Sequence, residues 1–77
     1  MKSPGYSSTV ILTLFICGAE LALSHVSSDF CVVRESEFYI DGGEAQLLIS
    51  VDGVEEKRTV IVTEGIPAGR SVRVSYF

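Results

Sequence analysis

The sequence predicts an all-β fold class, a small antiparallel meander or sandwich of about five short strands after an N-terminal targeting helix. Three observations predict it. From Asp29 onward apolar and polar residues alternate with a period of two, as half-buried strands require. Turn signals break that alternation at Asp41-Gly42-Gly43, Asp52-Gly53 and Pro67-Ala68-Gly69. The ten-residue apolar run, Val10 to Ala19, stands apart and follows Lys2 and a polar stretch. That is the order of the n-region and h-region of a signal peptide.

The run is too short to cross a bilayer core, which needs about 20 residues. Extending it towards Leu23 takes in Glu20, whose carboxylate is costly in lipid. Small residues at the positions one and three before a cut favour cleavage after Ala22-Leu23-Ser24, and Cys17-Gly18-Ala19 offers a second place. The reading is thus residues 1–24 as a signal peptide, or a short membrane anchor if uncut, and residues 25–77 as a small β domain. Leu14-Phe15-Ile16-Cys17 departs from a lipobox because Ile16 is too large for the position before a lipidated cysteine. The chain is expected outside the cytoplasm, secreted or at the periplasm or cell surface, and membrane contact is expected only through the N-terminal segment.

Phe30 to Val33 and Glu37 to Ile40 read as the first two strands, joined by the polar Arg34-Glu35-Ser36. Asp41 to Glu44 is a turn. In the next run Ala45, Leu47, Ile49 and Val51 share one face. Asp52-Gly53 follows at once, a strong two-residue hairpin signal between apolar flanks. The returning strand opens with Glu55-Glu56-Lys57-Arg58 and closes with Val60 and Val62 on one side, and Thr59, Ile61 and Thr63 on the other. Glu64 to Gly69 is a loop by composition, with Pro67 and Gly69 as turn formers. Arg70 to Phe77 then alternates with Val72, Val74 and Tyr76 inward. The last three strands are expected to form a meander. Its final strand, ending in Tyr76-Phe77, is expected to present an open edge that a partner covers or that a longer protein continues.

The layout from Ala45 to Tyr76 combines an apolar strand, Val51-Asp52-Gly53, a charged stretch, Arg58-Thr59-Val60, Ile66-Pro67-Ala68-Gly69-Arg70 and a closing alternating strand. It resembles the PEGA-type domains of bacterial cell-surface proteins, and more closely a short related repeat of planctomycete proteins. The matching motifs are turn chemistry. Glu64-Gly65 departs from the pattern, where a proline pair is commoner, as does the cysteine. The resemblance implies an extracytoplasmic structural or adhesive module without catalytic residues.

The residues that carry chemistry form no recognisable set. After removal of residues 1–24, Cys31 is the single cysteine left. It is a candidate for an intermolecular disulfide, set against a plain buried hydrophobe in Phe30-Cys31-Val32-Val33. His25 as a new N-terminus would offer two nitrogen donors to Cu(II), but the chain has no second histidine. Asp41 to Glu44 and Asp52 to Glu56 lack oxygens at the alternate positions of a calcium loop. No serine sits in a Gly-x-Ser-x-Gly elbow, and no glycine-rich phosphate loop is present. Phe30, Phe38, Tyr39, Tyr76 and Phe77 are a candidate patch for stacking on sugar or protein, though a small domain needs most of its aromatics for its core.

Length and charge narrow the function further. The 77 residues allow one domain at most. A net charge of −4 without a basic stripe speaks against nucleic acid. The expectation is an exported, non-enzymatic β-module without metal or cofactor, acting on a protein or cell-wall polymer through its sheet edge, or on a second copy of itself. The alternatives are a small extracellular metal- or redox-active protein built on His25 and Cys31, and a truncated fragment without independent function.

Overall fold

The computed structural model describes residues 9–77. It is all-β: β1 (Val10–Ile16), β2 (Ala19–Val26), β3 (Phe30–Ser36), β4 (Gly43–Val51), β5 (Val54–Val62) and β6 (Gly69–Ser75). All six lie in one antiparallel sheet of order β5-β4-β1-β2-β3-β6.

The expected targeting helix is corrected here. Among the described residues, the apolar run forms a strand hairpin at the centre of the sheet, and no helix is present. Cys17 (φ 52°) and Gly18 (φ 79°) both take left-handed conformations, which is the two-residue type I′ reversal of a tight hairpin. With the chain turned there, Leu14 lies opposite Leu21 on one side and Leu47 on the other. β-Branched and aromatic residues in Val10–Ile16 suit a strand buried between two neighbours.

Asp52-Gly53 makes the expected hairpin, with φ of 52° and 86° and Val51 opposite Val54. Asp52 also secures the chain before β1. Its Oδ1 accepts from the Thr9 N–H at 2.9 Å, and its own N–H donates to the Thr9 carbonyl at 2.8 Å.

The expected meander of the last three strands is also corrected. β6 crosses the sheet and pairs along its length with β3, from Phe30 opposite Ser75 to Ser36 opposite Gly69. This pairing draws Arg34-Glu35-Ser36 into β3, although their polarity reads as a loop. Glu37 to Ile40 loses its expected strand and contributes only a bridge, Ile40 with Ile66. The β3–β4 and β5–β6 connections meet there. The Ile40 N–H donates to Ile66 O at 2.9 Å and the Ile66 N–H to Ile40 O at 2.7 Å.

The sheet curls until its two end strands touch at one corner. Val62 opposes Tyr76, and Ile61 exchanges two hydrogen bonds with Phe77. The inner face carries the core: Leu14, Ile16, Leu21, Leu23, Cys31, Val33, Ala45, Leu47, Val60, Val62, Ile66, Val74 and Tyr76 are all buried. The predicted inward sides of β4, β5 and β6 agree with this, except that Val51 at the hairpin end is exposed. Tyr76 anchors the seam. Its hydroxyl donates to the Ser27 carbonyl and its N–H to Asp29 O at 3.0 Å.

Candidate functional site

The residues singled out by sequence do not gather into one place. His25 pairs across from Val32 while Val26 pairs from Cys31, so the imidazole and the thiol lie on opposite faces of the sheet. His25 is exposed, and its Nδ1 is 3.0 Å from Ser24 Oγ. Cys31 is fully buried among the core residues. A bridge from Cys31 to a second chain would require β3 to leave the sheet. The exposed thiol is Cys17, at the tip of the β1–β2 hairpin.

Burial pushes the Cys31 thiol up from its ordinary 9.0 to about 11. The Tyr76 hydroxyl is also raised, by burial first and then by the neighbouring Cys31, with Asp29 adding and Arg58 opposing. Both groups are neutral in the folded state at pH values where the unfolded chain already ionises. The Cys31 contribution to stability is therefore complete below about pH 9 and falls as pH rises from 9 to 11, and that of Tyr76 is complete up to its ordinary 10.0 and falls above it. For Cys31 the loss is on the order of 2 kcal/mol. Urea midpoints should drop steeply across this window in the native chain and less in Cys31→Ala. A thiol reagent at pH 8 should label Cys17 at once and Cys31 only on unfolding. Equal labelling of both would remove Cys31 from the core.

The turn residues act as structure. Asp52 and Gly53 form the type I′ turn, and Gly69 has a φ of 144°, outside the usual range of other residues. Pro67 is exposed beside the buried Ile66. The two acidic turns differ in use. Asp52 is spent on Thr9, and the Asp41 carbonyl faces the Cys17 thiol at 3.7 Å. Among the described residues, no group of three or more His, Cys, Asp or Glu is placed to hold a metal ion.

The aromatic residues are dispersed. Phe30 lies under the Arg73 guanidinium, 4.1 Å from its ring centre, a cation–π contact across the β3–β6 pair. Phe38 and Tyr39 are exposed on the β3–β4 crossover, Tyr76 is buried, and Phe77 is tied to β5. Hollows are shallow. One of about 390 Å³ lies between Leu21, Glu35, Phe38 and Ile40, and one of about 320 Å³ between Phe15, Gln46, Leu48 and Lys57.

What the fold exposes is an edge. The molecule measures 46 × 23 × 21 Å, and the start of β1, the end of β4 and the start of β5 form an arm beyond the closed body. Val54 to Thr59 are exposed on both faces of the sheet. Ile61 directs its backbone groups away from β4, towards Phe77. By the period of two, Thr59, Lys57 and Glu55 do the same, and among the described residues these groups have no backbone partner. At the C-terminus, β6 is the other end strand of the sheet as expected, but Tyr76 and Phe77 beyond it are taken up by β5 at the corner. Sequence alternation marked both as strands but held no information on which neighbour each would find. Compared with protein-family models, curated proteins and solved structures, the chain matches none.

Proposed function

We propose that the chain is an exported, non-enzymatic β-module with a structural or binding role at the cell surface or outside the cell. It acts through its surface or the exposed β5 edge, on a protein by strand addition or on a cell-wall polymer by surface contact. The observation that carries this reading is the row of backbone groups at Glu55, Lys57 and Thr59, unpaired among the described residues and a template for an extended partner. The exposed Val54 and Val51 give that partner apolar contact beside the charged stretch. A separated, exposed His25 and a buried Cys31 also favour a non-enzymatic role, since a nucleophile and base must be in hydrogen-bond reach.

Export rests on Lys2 and the apolar run, and the fold adds a constraint to it. A cut after Ser24 would fall inside β2 and remove all of β1, so a cleaved chain and this sheet exclude each other. Intact-mass spectrometry of the extracytoplasmic fraction tests the reading. The full-length mass there supports an exported module that keeps β1 as a strand. A mass for residues 25–77 would mean that the exported form is not this sheet, and recovery only from the cytosol would overturn export.

A further inference from the structure

We propose that the partner of the β5 edge is a second copy of this chain, joined antiparallel about a two-fold axis at Lys57. This rests on the reading of the β5 edge as a binding surface. Two identical antiparallel strands related by a two-fold axis set one residue opposite itself. With Lys57 at the axis, Glu55 opposes Thr59, Glu56 opposes Arg58 and Val54 opposes Val60 on each side. This register uses the whole free stretch, because the next residue, Ile61, is already bonded to Phe77. It also matches bonding directions, since Glu55, Lys57 and Thr59 all point their backbone groups outward and meet one another as hydrogen-bonded pairs.

The charges select the register. Glu56 faces Arg58 of the second copy twice, in the closely spaced non-hydrogen-bonded position where side chains interact most. Lys57 meets Lys57 in the wider position, with Glu55 of the second copy on the diagonal. A two-fold axis at Glu56 would set Glu56 against itself, bury Arg58 against Val54 and run off the strand into the Asp52-Gly53 turn. A charged edge of one sign would repel a second copy, which is the usual protection of an exposed edge. Here Glu56 and Arg58, one residue to either side of the axis, each find the opposite charge across it. The contact is a single strand pair, smaller than a standard interface, so the dimer is weak and concentration-dependent.

Sedimentation equilibrium of the full chain, from micromolar to millimolar, tests this. The native chain should shift from monomer to dimer. Glu56→Arg and Arg58→Glu should each weaken association roughly ten-fold or more, because each sets like charges opposite one another twice. The double exchange E56R/R58E should restore it. Lys57→Pro removes an outward N–H that β4 does not use and should abolish the dimer, with the sheet's circular dichroism unchanged. A native chain that stays monomeric throughout overturns the second-copy inference, as does a dimer indifferent to all four variants. In the monomeric case, loss of extracytoplasmic cross-links in Lys57→Pro would leave the edge as a site for another chain. Unchanged cross-links would remove the edge-binding reading as well.

Discussion

Residues 25–77 produced alone are expected to remain unfolded, and this is the largest effect the fold implies. Removing residues 1–24 deletes β1 and most of β2, and with them Leu14, Ile16, Leu21 and Leu23 of the core. β1 is the strand that joins the two halves of the sheet, since it pairs with β2 on one side and β4 on the other. Without it, the β4–β5 hairpin and the β3–β6 pair are linked only at the Val62–Tyr76 corner and the Ile40–Ile66 bridge. A hairpin and a strand pair with so little shared surface are at best marginally stable in water. Losing the four apolar side chains alone forfeits roughly 6–12 kcal/mol, at about 1.5–3 kcal/mol for each buried group. That is comparable with the whole stability of a chain of 77 residues, about 4–12 kcal/mol at 0.05–0.15 kcal/mol per residue. Circular dichroism and amide exchange of the fragment decide the matter. A cooperative thermal transition with protected amides would show that β1 is dispensable, and would restore residues 25–77 as a domain by themselves.

Ile66→Ala is expected to destabilise the chain by about 2–4 kcal/mol, a large share of its stability. Ile66 is fully buried although it stands in a connection between strands. Its backbone is bonded in both directions to Ile40, so the site cannot easily collapse around a smaller side chain. Phe38, a larger apolar residue, is 71% exposed. Phe38→Ala should therefore change stability by less than about 0.5 kcal/mol. Urea denaturation of the two variants beside the native chain measures both. The ranking would be overturned if Phe38→Ala proved the more harmful, because the crossover would then pack by its aromatic side and not through Ile66.

This pair also shows where the sequence is legible. Alternation located β4, β5 and β6 and assigned their inward sides, because with one face buried the side-chain period of two leaves little freedom. Asp52-Gly53 was equally legible, since a type I′ turn needs two residues that tolerate positive φ. Cys17-Gly18 makes the same turn without announcing it. Cysteine is not a usual residue at that position, and β1 before it is apolar on both sides except at Thr13, which hides the strand even though Glu20 and Ser24 alternate with Leu21 and Leu23 in β2. A mostly apolar run fits a targeting segment and a strand buried between two neighbours equally well.

The exposed edge was only half legible. Glu55-Glu56-Lys57-Arg58 stood out as a charged opening to a strand, but which edge stays free depends on the order of strands. That order follows from β6 pairing with β3, a contact between residues far apart in the chain. Arg34-Glu35-Ser36 became strand for the same reason, since Glu35 and Ser36 found Arg70 and Gly69 opposite them. By itself the sequence determined that the chain is all-β after Asp29, that Asp52-Gly53 turns a hairpin and which sides of its last strands are apolar, all properties of neighbouring residues and their backbone preferences. Only the tertiary structure decided that the apolar run is the central strand, that Ile66 belongs to the core and that β5 keeps an open edge. Those depend on long-range pairing, whose free energy comes from burying surfaces that local sequence does not bring together.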